Sequence, residues 1–199
     1  VLKEKDIIGI DCGVYYNGYN TDMAETVKVK NKQSFSSNKQ SFSANEKLSF
    51  DFAQDKKIKN EEEIDRFLET GRKALFEAIK QARVGNRIGN ISKTIQDLVE
   101  GNGYSVVRTL VGHGVGRELH EEPEIPGFLD KDIKKTPLIK ENQTLAIEVI
   151  YNMGDSKVNY KGKDDNWTII TSDKSLSATF ERTVLVTKNG PIILTENSL

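Results

Sequence analysis

Three carboxylates stand where a strand pattern calls for apolar side chains, and this conflict constrains the fold more than any other feature of the sequence. Asp11 follows Ile7, Ile8 and Ile10; Glu148 is framed by Ile147, Val149 and Ile150; Glu181 lies between Phe180 and the run Thr183 to Val186. A carboxylate taken out of water without a partner is costly, so each of these needs a proton, a cation or a metal ion. The neighbouring residues in sequence offer few candidates, so compensation has to come from elsewhere in the fold.

Asp11 has a companion in Asp22. The Asn17-Gly18 pair is a hairpin signal, which makes the segment around Asp6 to Val29 two antiparallel strands. If the turn is centred at 16.5, Asp11 and Asp22 are directly opposite; if at 17.5, Asp11 faces Ala24, one pleat period from Asp22. Either register puts both carboxylates on one face, where like charges destabilise the hairpin unless a cation sits between them.

The only two histidines, His113 and His120, fall in GHGVGRELHEEP. Their separation of seven is odd, so a straight strand would point them to opposite faces, whereas a bend through Gly112, Gly114 and Gly116 brings both into one cavity. Asp11, Asp22, Glu148 and Glu181 carry four negative charges and His113 is a neutral ligand, so two divalent cations close the set to neutrality. Oxygen ligands with one imidazole suit Mn, Fe(II), Co or Zn at a hydrolytic site.

Charge balance excludes recruitment by a global field: 29 basic against 30 acidic residues give a net charge of −1, so neither nucleic acid nor an anionic membrane is favoured. No apolar run approaches the roughly 20 residues of a membrane span. Cys12 is the only cysteine, which rules out an intrachain disulfide and a cysteine zinc site and favours a reducing compartment. The chain opens on Val1 rather than Met, close before a charged cluster and a strand, and the expectation is that an upstream portion has been lost.

At 199 residues the chain fits one domain, 1–199. From Lys30 to Lys59 the composition turns to Asn, Lys, Gln, Ser and Phe; NKQSFS occurs at Asn31 to Ser36 and Asn38 to Ser43, with a weaker copy, NEKLSF, at Asn45. One Phe per repeat does not make a coiled-coil seam, so 30–59 reads as a flexible inserted loop. Order resumes with an N-cap at Asn60 and a long amphipathic helix through Ile64, Phe67, Leu68, Leu75, Ala78, Ile79 and Ala82, stopped at Gly85. A second helix through Ile91, Ile95, Leu98 and Val99 ends near Gly101. Strands are expected at Val106 to Val111, Thr144 to Tyr151, Trp167 to Thr171, Ser177 to Val186 and Ile192 to Leu194, giving an α+β class with helices packed on a largely antiparallel sheet.

IDCGVYYNGYNTD, VVRTLVGHGVGRELHEEPEIP, LAIEV and DNWTIITSDKSLSATFERTVLVT together resemble the type I methionine aminopeptidases, members of the pita-bread metallopeptidases. The resemblance covers nearly everything except 30–59 and corresponds to about the C-terminal two thirds of that family. It implies the pita-bread (creatinase/aminopeptidase-like) fold with its N-terminal part missing, and a site with two divalent metal ions. Asp11 would chelate one, Asp22 and Glu181 would bridge both, and His113 with Glu148 would complete the other. Glu148 would also transfer protons, His120 would hydrogen-bond the scissile carbonyl or its developing oxyanion, and Trp167 would line the pocket for a methionine side chain.

The implied activity is removal of the initiator methionine from nascent polypeptides, by attack of metal hydroxide on the first peptide bond, in a cytoplasmic monomer that meets nascent N-termini and has a ribosome contact. An X-Pro dipeptidase and a catalytically silent peptide- or protein-binding module are the rival readings. The sequence departs from the family pattern at Val149, where Pro is usual, and at Met23 and Ala24, where Thr or Ser is usual after the second aspartate.

Overall fold

The computed structural model describes residues 1–29, 52–162 and 165–196. Strands β1 (Ile7–Tyr16) and β2 (Tyr19–Lys28) open the chain as a hairpin, followed by helices α1 (Phe52–Ile79) and α2 (Ile88–Gly101). Then come β3 (Ser105–Val106), β4 (Val111–Gly114), β5 (Glu121–Pro126), β6 (Thr144–Asn152), β7 (Val158–Gly162), β8 (Asp165–Thr171), β9 (Ser177–Thr187) and β10 (Gly190–Ile193). The main sheet is antiparallel throughout, in the order β1-β2-β9-β6-β4-β5, with β10 added to β9 and β3 to β6; β7 and β8 form a separate two-stranded ribbon.

The pattern of β6 explains how this sheet is used. Leu145, Ile147, Val149 and Tyr151 are fully buried and belong to the core formed with α1 and α2, whereas Glu148 and Ile150, on the alternate positions, are only partly buried. In β9 the same core takes Ala178, Phe180, Val184 and Val186. From α1 come Phe67, Leu68, Ala74, Leu75 and Ala78, at the expected spacing of three and four. A Cβ on Gly71 would lie 2.5 Å from Phe180 ring carbons and 2.6 Å from the Tyr151 hydroxyl, so only glycine lets the helix settle at this distance. The Tyr151 hydroxyl donates to the Phe67 carbonyl, so this fully buried polar atom of the core is satisfied.

Three expectations are corrected. The first helix starts at Phe52, not at an N-cap on Asn60, so 52–59 is helical backbone and only the remainder of the anticipated insert, 30–51, lies outside the described residues. The stretch Val106 to Val111 is not one strand, because the chain bends through exposed Arg108 and Thr109 between β3 and β4. The bend expected through Gly112, Gly114 and Gly116 begins only after Gly114, because Gly112 and Gly114 belong to β4, and it leads into the unanticipated strand β5, which buries Pro123 and Ile125 on one side. Among the described residues, no helix is long and apolar enough to cross a membrane.

Candidate metal centre

Hairpin geometry decides between the two registers left open above. Asn17 and Gly18 both have positive φ, 50° and 88°, the requirement of a two-residue I′ turn, and Tyr16 pairs with Tyr19. The turn is therefore centred at 17.5, Asp11 faces Ala24, and Asp22 faces Gly13. Directly paired residues share a sheet face, and this rule extends across the sheet. Ala24 pairs with Glu181, Glu181 with Glu148, and Ala146, two residues from Glu148, with His113. Asp11, Asp22, Glu181, Glu148 and His113 thus come from five adjacent strands and all lie on the face turned away from the helices.

Three of them converge most closely. Asp22, His113 and Glu181 are buried, and each offers a ligand atom within 4.8 Å of the other two. In the His113 ring Nδ1 lies 2.8 Å from the Gly114 carbonyl oxygen, which only accepts, so Nδ1 holds the proton and Nε2 presents a lone pair. That Nε2 is 3.9 Å from Asp22 Oδ2. Glu181 Oε1 is buried with no hydrogen-bond partner. Burial first, then the charges of Glu148, Asp22 and Asp11, push the Glu181 carboxyl up to about 9. Burial followed by Asp11 and Asp22 pushes Glu148 up to about 7. Asp11, the most exposed of the five, is also raised, by burial and then by its neighbour Asp22.

An orphaned buried oxygen, an imidazole with its proton turned away, and carboxylates held at mutual cost fit a divalent cation. Asp11 and Glu148 stand beside the cluster as walls of a cleft of about 270 Å³, which is otherwise lined by groups such as Val107, Leu110, Ile150, Val158 and Ile169.

His120 lies in the bend between β4 and β5, exposed, with its ring edge-on to that of His113 at 4.3 Å between centroids and 65° between planes. The glycine-rich bend therefore brings the two imidazoles together. Trp167 is apart from the cluster: it sits on the β7–β8 ribbon and is 91% exposed.

Two supporting residues escaped the sequence reading. Thr183 Oγ1 accepts from the Asp22 N–H and donates to the Asp22 carbonyl, both at 2.8 Å. Buried Arg182 donates to the carbonyls of Ala24 and Glu181 and pairs with Glu25 at 2.8 Å, from the helix side of the sheet. Thr183, two residues after Glu181 on the same face, could have been suspected from alternation alone. The Arg182–Glu25 pair joins strands too far apart in sequence for any spacing to reveal it.

The antiparallel sheet with its packed helices, and the acidic groups and imidazole clustered on its open face, fit a metallopeptidase. Residues 1–188 match Metallopeptidase family M24, and the chain belongs to that family, with its α+β pita-bread fold. Over 194 residues it is 39% identical to the methionine aminopeptidase of Clostridium perfringens, covering 98% of this chain and 65% of that protein. It is 40% identical over 195 residues to the methionine aminopeptidase of Borreliella burgdorferi, again covering 98% of this chain and 65% of the relative. The crystal structure of methionine aminopeptidase from Thermotoga maritima superposes with a TM-score of 0.78 at 36% identity, over 99% of this chain and 66% of that one. The chain therefore spans a little under two thirds of the length of these relatives.

Proposed function

We propose that this chain carries the catalytic metal site of an aminopeptidase that removes the N-terminal methionine from nascent polypeptides. The observation that carries this reading is the convergence of Asp22, His113 and Glu181 within 4.8 Å, with Asp11 and Glu148 on the same face, in a chain 39% identical to a methionine aminopeptidase. Four acidic groups and one imidazole on one face suit a pair of divalent cations, Mn, Fe(II), Co or Zn, which Asp11, Asp22, His113, Glu148 and Glu181 would hold. When bound, such cations supply Lewis acidity that polarises a peptide carbonyl and makes water acidic enough to attack at neutral pH.

The protein's own groups divide the remaining work. Glu148, on the wall of the cleft and opposite Glu181, would take and return a proton. The exposed His120 imidazole has an N–H to offer the carbonyl oxygen of the scissile bond, a contribution of roughly 3 kcal/mol in comparable sites. The apolar groups of the cleft suit an uncharged, flexible side chain, and Trp167 on the neighbouring ribbon would add to that surface when substrate is present. The free Cys12 agrees with a reducing cytoplasmic setting.

The test is release of methionine from Met-Ala-Ser, with Ala-Pro peptides as the control for an X-Pro dipeptidase. Release should require one of the four metals and fall by at least about a hundredfold in Asp22→Ala or Glu181→Ala. Methionine release that survives both chelation and these substitutions, or cleavage confined to Ala-Pro, overturns the reading.

A further inference from the structure

The outward edge of β2 can be followed group by group. Its ladder to β9 contains only Met23↔Arg182 and Ala24↔Glu181. Beyond it, the Asp22 N–H is taken by Thr183 Oγ1 at 2.8 Å, and the Asn20 N–H by the Gly116 carbonyl at 2.7 Å. Where β9 stops pairing, the segment 115–120 takes the next position along the edge.

Asn20 adds its side chain to this contact. Its Nδ2 donates to the Arg117 carbonyl at 2.9 Å and to the Gly116 carbonyl at 3.3 Å. Beside it the Arg117 guanidinium lies 5.5 Å from the centre of the Tyr19 ring, and Leu119 Cδ1 is 3.4 Å from where a Cβ on Gly13 would stand. The segment so gripped ends at His120, edge-on to His113.

We infer that Asn20 is a positioning residue: it clasps the 115–120 segment to the hairpin that bears Asp22, and thereby fixes His120 beside His113. The inference rests on the reading of His120 as the group that meets a substrate carbonyl, and it names the residue that puts His120 there. The chemistry of the amide is specific. Both acceptors are carbonyl oxygens, so the position needs a donor, and Asn20 shares a face with Asp22, where another acid would add repulsion. Asn supplies the donor without charge. Aspartate here would turn a carboxylate toward two carbonyls, while alanine would keep only the backbone bond.

With only two histidines in the chain, the imidazole region of a proton spectrum contains two spin systems, and His120→Ala assigns them. The expected result is a cross-relaxation peak between the two rings in the metal-free wild type, weaker in Asn20→Ala and absent in Asn20→Asp. Calorimetric affinity for Mn(II), which loss of support for a ligand lowers about 10- to 100-fold, should stay within about threefold in Asn20→Ala. A cross-peak of full intensity in Asn20→Asp overturns the clasp. So does a tenfold or greater loss of Mn(II) affinity in Asn20→Ala, which would make Asn20 a support of the hairpin that bears Asp22 instead. If Asn20→Asp does not fold, Asn20→Ala decides. Failure of the wild-type chain to bind Mn(II) would count against the proposed metal site alone, because the ring-to-ring peak needs no metal.

Discussion

The two faces of the β6–β9 pair are built on opposite terms. Toward the helices stand Leu145, Ile147, Val149, Tyr151, Phe180, Val184 and Val186, all fully buried and apolar apart from the satisfied Tyr151 hydroxyl. Toward the cleft the same strands hold Glu148 and Glu181 in direct opposition, with an oxygen of Glu181 left without a partner. Each fully buried aliphatic or aromatic side chain contributes about 1.5–3 kcal/mol, so the first face can sustain the repulsion that the second imposes. The carboxylates are held together by packing on the other side of a sheet only one residue thick, and metal binding relieves a cost that folding has already met.

The largest expected effect comes from that cost. In metal-free protein, Glu181 keeps its proton up to about 9 in the folded state, whereas an ordinary glutamate releases it near 4.5. Between those values the folded chain binds more protons than the unfolded one, so stability falls as pH rises. Glu148 adds to the fall between 4.5 and about 7. Urea melts of the chelated chain from pH 5 to 9 should show a steady decline, flattened by Glu181→Gln and removed by saturating divalent metal. A chelated chain whose stability holds constant or climbs across this range would break the comparison.

Phe180→Ala acts on the other face and should cost about 3–5 kcal/mol by the same melts. Its loss should be equal at pH 5 and 9, because no titrating group is removed; a pH-dependent loss would mean the two faces are not separable. Gly71→Ala should cost up to about 3 kcal/mol, since the added methyl meets the Phe180 ring and the Tyr151 hydroxyl and the helix must move off the sheet. Retained metal affinity in folded Gly71→Ala would sharpen the division of labour.

The same alternation made much of this legible in the sequence. Asn17-Gly18 marks the turn and puts Asp11 and Asp22 on one face in either of the two registers it leaves open, and period-two patterning sets Glu148 and Glu181 apart from the apolar positions of their strands. Where local chemistry and tertiary packing disagree, the reading fails. Residues 52–59 hold three lysines with Gln54 and Asp55, which look like a continuing polar loop, although Lys, Gln and Ala are good helix formers. β5 hides behind Glu121, Glu122, Glu124 and two prolines, yet its inward positions, Pro123 and Ile125, obey the strand period. Trp167, which the resemblance assigns to a pocket wall, stands on β8, which pairs only with β7 among the described residues, and its ring stays in solvent. Arg182 and Asn20 were invisible because each acts on a segment distant in sequence, and Thr183 is marked only by its alternation with Glu181.

Thr183 supplies the smallest effect, and the most direct link between the two faces. Its side chain is fully buried on the cleft side of β9, where the regular ladder to β2 has just ended, and its hydroxyl replaces the missing ladder bonds by serving both the N–H and the carbonyl of Asp22. Thr26 does the same for Thr179 on the far side of the two-residue ladder, at 2.8 and 2.9 Å. Thr183→Val keeps the shape and removes the hydroxyl, leaving two backbone groups unpaired at a cost of about 1–2 kcal/mol. Because those groups belong to Asp22 itself, metal affinity should fall about tenfold or more at the same time, whereas Thr26→Val should lower stability and leave affinity nearly unchanged. Thr183→Ser, which restores the hydroxyl, should recover affinity. Equal affinity in Thr183→Val and wild type would show that Asp22 is placed by the hairpin alone.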